Sequence, residues 1–101
     1  MKRKTFNIIV NSRLSMCKKV LAVKATDYAN EEDRLHNFKL GAVLVRQTPK
    51  QYALELVTKH FVAIADKITN DEVMEPKFVT EKIGDIINYM LLIEALNKER
   101  Q

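Results

Sequence analysis

The stretch VTEKIGDIINYMLLIEALNK, residues 79–98, decides the fold. Within it Val79, Ile83, Ile86, Ile87, Met90, Ile93 and Leu96 recur at intervals of three and four, the repeat of a helix with one buried side. Met90-Leu91-Leu92-Ile93 then covers every direction around a turn. A helix that is apolar all round is covered all round, which a small four-helix monomer cannot easily achieve. The expectation is self-association through this fourth helix, most simply against its symmetry mate.

Working back along the chain, Thr69 to Pro76 reads as a polar loop. Before it, Thr48-Pro49-Lys50-Gln51 places Thr at the N-cap, Pro at N1 and Gln at N3, a capping box. The third helix should run from there to about Ile68, with Tyr52, Leu56, Phe61, Ile64 and Ile68 packed inward. A short helix is expected from Arg34 to Val45, capped by Asp33 and burying Leu35, Phe38, Ala42 and Val45. The first helix spans about Phe6 to Ala25, with Ile9, Leu14, Cys17, Val20, Leu21 and Lys24 along one side. Thr26 to Asp33 breaks that pattern. The fold expected is therefore all-α: one domain over residues 1–101, a small helical bundle whose two long helices lie antiparallel, assembled as a homo-oligomer.

Bulk properties agree. With 101 residues there is length for one modest core. Hydrophobic residues make up 47% and charged residues 30%, which excludes a disordered chain. Two glycines and two prolines are too few for the turns of an all-β protein. Cys17 is the lone cysteine, so no internal disulfide forms and a small buried hydrophobe in a reducing compartment is expected. Neither a secretory leader nor the ~20 apolar residues of a membrane span are visible, so the expected location is the cytoplasm, with no membrane partner. The net charge of +4 favours an anionic partner. Without a dense Lys/Arg stripe interleaved with aromatics, duplex nucleic acid is not that partner.

The densest polar information lies in Lys24, Asp27, Tyr28, Asp33, Arg34, His36, Asn37, Phe38 and Lys39. Lys and Arg match phosphate charge, Arg in a two-pronged fork. Tyr28 and Phe38 offer flat faces for a base, and Asn37 can read a base edge as donor and acceptor together. Each also has a structural reading: Asp27 and Asn30 shape a turn, Asp33 caps a helix, Tyr28 and Phe38 join the core. Together, three cations, two acids and two aromatics exceed what a turn requires. Lys59 and His60 complete the candidate nucleotide-binding set.

In the third helix Glu55, Lys59 and Asp66 share one side, as do Glu81, Asp85 and Asn88 in the fourth. Asp85 and Asn88 sit in an apolar run, where polar groups are costly unless paired. Either Asp85 pairs with Lys59 or His60, or a polar seam between the long helices holds a ligand or Mg²⁺, for which Glu55, Glu81 and Asp85 are the candidate ligands. Nucleophilic catalysis has no support. Ser12 and Ser15 lack a G-x-S-x-G context, and no phosphate-binding glycine loop exists. Gly41 and Gly84 are read as places where helices approach closely.

The segments Lys24-Ala25-Thr26-Asp27-Tyr28-Ala29, Asp33 to Lys39, Thr48-Pro49-Lys50-Gln51, Lys59-His60 and Glu81 to Tyr89 with Leu91-Leu92 resemble the recurring motifs of a group of small phage-encoded helical proteins. That group is associated with nucleotide modification, and the resemblance covers nearly the whole chain. At a distance the chain is similar to the all-α nucleotide pyrophosphohydrolases of MazG type, in which E-x-x-E on one helix and E-x-x-D on the next hold Mg²⁺. Here Glu55 is followed at the third position by Thr58, and Glu81 by Gly84 with Asp85 one further on, so a metal ligand is missing from that pattern. In type the chain also resembles phage sponge proteins, small self-associating binders that sequester cyclic nucleotide signals of bacterial defence. The resemblance implies an anti-defence protein that stacks bases on Tyr28 and Phe38 and holds phosphates with Lys24, Arg34 and Lys39, without catalysis or cofactor. The alternatives are a MazG-like Mg²⁺-dependent hydrolase of nucleoside triphosphates, or a nucleotide-metabolism accessory, and a helical protein-interaction module.

Overall fold

The computed structural model describes the backbone of residues 1–28 and 33–100, and the side chains of residues 1–22 and 33–99. The elements are α1 (Arg3–Tyr28), α2 (His36–Leu44), α3 (Pro49–Thr69), a single turn α4 (Pro76–Phe78), a π-helical turn (Val79–Ile83) and α5 (Gly84–Arg100). Among the described residues there is no strand, and the protein is all-α. Right-handed helical dihedrals persist through Phe78, Val79 and Gly84, so the last three elements form one continuous helix. No helix among the described residues is long and apolar enough to cross a membrane.

Capping chemistry sets the boundaries. The Thr48 hydroxyl accepts the Gln51 N–H while the Gln51 side chain accepts the Thr48 N–H, closing the expected box around Pro49. At the far end of α3, Asp71 takes a left-handed φ of 53°. Its N–H reaches the Ile68 carbonyl, and the Glu72 N–H reaches Lys67 at 2.9 Å. α2 closes the same way, with Arg46 at φ 57° and the Gln47 N–H on the Ala42 carbonyl at 2.8 Å. Two helices thus end in Schellman turns without a glycine in the strained place. The start of α2 differs from expectation. Asp33 is not its N-cap; its carboxylate accepts the Leu35 N–H at 3.0 Å in a preceding turn, and the helix begins at His36 rather than Arg34.

α3 packs on α5, α2 on α3, and α1 on α5. Leu35, Ala53 and Leu96 form the buried centre, with Phe38, Leu92 and Ile93 against it. α3 meets its neighbours along Ala53, Val57 and His60, not along the line of larger residues that the sequence suggested. Phe61 and Ile68 are exposed, while Tyr52, Leu56 and Ile64 are half-buried flanks. Ala53 and Val57, both 0% exposed, lead the contact line, with His60 below them and the bulkier apolar residues at its edges. On α5 the most buried positions are Gly84, Asn88 and Leu96, at the four-residue spacing of one face. Met90 and Leu91 stay 41% and 47% exposed, and Val45, expected inside, is exposed at the end of α2.

The π turn carries one extra residue: the Gly84 N–H reaches back five positions to the Val79 carbonyl. Here α1 contacts the helix that ends the chain. The Cys17 thiol, 3% exposed, donates to the Gly84 carbonyl at 3.7 Å, and Arg13 donates to the Thr80 hydroxyl at 3.3 Å. Burial pushes the Cys17 thiol above its ordinary pKa, as expected of a packed rather than reactive cysteine. Beyond Arg13 toward the N-terminus α1 loses cover, and Ile9 and Leu14, expected on its buried side, are 49% and 52% exposed. The radius of gyration, 15.4 Å, exceeds the roughly 13 Å of a compact domain this long.

Candidate functional site

Four helical segments line a half-open cavity of about 310 Å³. α1 lines it with Val20 and Leu21, and the chain entering α2 with Arg34, Asn37 and Phe38. α3 adds Tyr52 and Leu56, and α5 adds Asn88, Tyr89 and Leu92. Three aromatic rings form a linked set: Phe38 meets Tyr52 edge-on at 6.5 Å and Tyr89 at 6.4 Å. Gly41 makes room for this arrangement, since a methyl there would lie 2.5 Å from the Tyr52 ring. Burial, reinforced by the nearby Asp85 and Tyr52, raises the Tyr89 phenol above its usual pKa, so it presents a neutral hydroxyl.

Two polar side chains give the cavity its character. Arg34 supplies a cation at its wall; one guanidinium nitrogen donates to the Leu21 carbonyl at 3.3 Å, tying the start of α2 to α1. Asn88 is only 6% exposed, and its side-chain carbonyl has no hydrogen-bond partner among the described residues. A buried acceptor without a donor is costly. Beside the cavity, His60 lies 8% exposed with Nε2 3.7 Å from the Asp85 carboxylate and its ring 6.0 Å from Tyr89.

The structure divides the residues named from sequence. Arg34, Asn37 and Phe38 line the cavity. Lys39 does not: its ammonium is paired with Asp33 at 2.7 Å and with Glu99, joining α2 to α5. That hydrogen bond depresses the Asp33 carboxyl pKa and raises that of Lys39. His36 and Lys59 are exposed and line no part of the cavity. His60 pairs with Asp85, one of the partners foreseen for that carboxylate. The side chains of Lys24, Asp27 and Tyr28 lie outside the described residues. The candidate Mg²⁺ ligands are not gathered: Glu55 is exposed, Glu81 faces Lys77 at 4.0 Å and Asp85 faces His60. Among the described residues no three His, Cys, Asp or Glu side chains form a metal-binding group.

Sequence reasoning placed Tyr52 and Leu56 in the core and did not join Tyr89, Leu92, Val20 or Leu21 to the site. For Asn88 a signal existed, an amide within an apolar helix. A smaller hollow of about 110 Å³ lies by Thr48, Pro49 and Leu96, but its two lysines are already engaged, Lys39 as above and Lys50 with Asn97 at 3.2 Å. No protein-family model, curated protein or solved structure matches this chain, so the case for the site rests on its geometry.

Proposed function

We propose that this protein binds a nucleotide in the cavity between α1, α2, α3 and α5 and withholds it from other proteins without converting it. The observation that carries this reading is one wall cation, Arg34, with the amide side chains of Asn37 and Asn88 among aromatic rings. A phosphate suits the guanidinium, and a base edge suits the amides of Asn88 and Asn37. The volume sits at the lower end of the roughly 300–1,000 Å³ of small-molecule sites, which fits a mononucleotide unit. A cyclic dinucleotide signal would place one unit in each of two cavities. Sequestration of such a signal of host defence, in the cytoplasm, follows the resemblance to phage sponge proteins.

Self-association belongs to the same reading. The exposed Met90 and Leu91 on α5 support a homo-oligomer through that helix. Contacts of Lys50 with Asn97 and of His60 with Asp85 support an antiparallel course of α3 and α5. The MazG-like alternative differs in one measurable respect, release of pyrophosphate from a nucleoside triphosphate with Mg²⁺.

Melting temperature measured against a panel of linear and cyclic nucleotides tests the proposal. A ligand at a hundred times its Kd stabilises the native state by about 2.7 kcal/mol. Arg34→Ala should remove that gain while helical circular dichroism stays intact, whereas Lys39→Ala, away from the cavity, should keep it. Recovery of the intact nucleotide after heat denaturation is expected. Unchanged binding by Arg34→Ala refutes the site, and pyrophosphate release refutes sequestration.

A further inference from the structure

Resting on the nucleotide reading of the cavity, we infer that its guest presents a singly charged phosphodiester to Arg34 and that polyphosphates are disfavoured there. Among the described residues Arg34 is the one cation on the wall. The rest of the lining is aliphatic and aromatic side chains and the neutral amides of Asn37 and Asn88. Neighbouring cations are engaged elsewhere. Lys39 holds Asp33 and Glu99, and Arg13 donates to Thr80 in a separate, smaller hollow. Lys59 is exposed and off the wall.

The guanidinium of Arg34 is itself partly engaged. One of its nitrogens donates to the Leu21 carbonyl, which ties the head to α1 and leaves donors for one forked contact. A phosphodiester matches that: its free oxygens form a single pair and share one charge. The opposite polarity lies behind Tyr89. Asp85 stands one helical turn before Tyr89 on α5, and its carboxylate, second to burial, raises the Tyr89 pKa. A negative field therefore reaches the wall from that side, and a second charge on the guest meets repulsion instead of a partner. Charge taken out of water without a partner is costly. The cavity thus stabilises one negative charge at Arg34 and resists more, while its apolar lining suits the uncharged sugar and base.

Calorimetric titration of the full chain with probes that share a base and differ in charge is the test. The series is the nucleoside, the methyl ester of its 5′-phosphate, the 5′-monophosphate and the 5′-triphosphate, without divalent metal, repeated for each RNA base. For the preferred base, the methyl ester should bind about ten- to a hundredfold tighter than the nucleoside, the value of a hydrogen-bonded charge, and tighter than the triphosphate. The 5′-monophosphate should gain affinity as pH falls below its second phosphate pKa of about 6, where it becomes singly charged. The methyl ester, singly charged throughout, controls for titration of the protein. Arg34→Gln should bring the methyl ester down to the nucleoside while nucleoside binding and helical circular dichroism hold, whereas a merely structural Arg34 would weaken both ligands together. A triphosphate that binds tightest, with Lys24→Ala removing its advantage, leaves the nucleotide site standing and overturns the single-charge inference. A nucleoside that binds as well as its methyl ester overturns it also. Binding by none of the probes overturns the nucleotide reading itself.

Discussion

Gly41 offers the sharpest test of how the cavity wall is built. An added Cβ would stand 2.5 Å from Tyr52 Cε2, 2.7 Å from Cζ and 2.9 Å from the hydroxyl oxygen, all far inside van der Waals contact. The ring must therefore move, and it is held edge-on to Phe38 and lines the cavity. Two effects compete. In the middle of α2, Gly→Ala by itself favours the helix by about 0.8–1.0 kcal/mol. Overpacking that displaces a ring costs about 1–3 kcal/mol. The clash should win by about 1 kcal/mol, lowering the melting temperature of a domain this size by roughly 4–8 °C. In a Tyr52→Ala background the obstacle is gone, and the same Gly41→Ala change should stabilise by about 0.5–1 kcal/mol. Urea denaturation of the four proteins of this cycle supplies the measurement. Effects of the same sign in both backgrounds would show that Gly41 is not reserved for the Tyr52 ring, and the account of the wall would fall.

Thr48→Ala removes the hydroxyl that receives the Gln51 N–H and should cost about 1 kcal/mol, seen as a lower urea midpoint with an unchanged slope. Arg46→Gly relieves a left-handed residue at the end of α2 and should stabilise by about 0.5–1 kcal/mol; Asp71→Gly should gain less, because Asp tolerates that conformation better. The Asp33–Lys39 pair predicts a pH profile. The Asp33 carboxyl titrates below 3.8 when folded because Lys39 donates to it, so its contribution is in place above about pH 4 and lost as pH falls through the folded value. Lys39 titrates above 10.5, so its contribution is in place below that pH and lost only as pH rises through the raised value. Lys39→Met should flatten the acid loss of stability without moving the onset of the other carboxylates.

Helices were legible wherever a chemical signal was local. The capping box at Thr48 fixed the start of α3 to the residue, because every group involved lies within four positions. The breakdown came where a choice depended on neighbours. Tyr52, Leu56, Phe61, Ile64 and Ile68 make a convincing apolar stripe, yet α3 turns Ala53, Val57 and His60 inward, a choice set by neighbours far off in sequence. The π turn left no mark in the sequence; its extra residue is fixed by contacts with Arg13 and Cys17, 67 positions away. Of the cluster around Arg34, the structure brings Arg34, Asn37 and Phe38 to the wall of one cavity. Lys39 instead pairs with Asp33 and Glu99, and a side chain's partners across the fold cannot be read from its neighbours in sequence.

Asn88 separates a ligand site from a merely imperfect core. If the cavity were a packing defect, its polar wall would have no task, and the buried carbonyl of Asn88 would only subtract from stability. Leaving such an acceptor without a donor costs about 1–3 kcal/mol, and Leu at the same place would present an apolar surface of similar volume to Leu92 and Leu56. Asn88→Leu should therefore raise the stability of the ligand-free protein by about 1 kcal/mol, an uncommon result for a buried substitution. The same change should erase the melting-temperature rise produced by whichever nucleotide binds, because the base edge loses an amide of the cavity wall. Stability gained and binding lost in one substitution is the signature of a residue retained for a guest. Should Asn88→Leu instead destabilise the protein by several kcal/mol, the amide would be bonded within the fold and the argument for a guest at that wall would collapse. Should it stabilise while nucleotides still bind as before, the cavity would be real but the amide would not face its ligand.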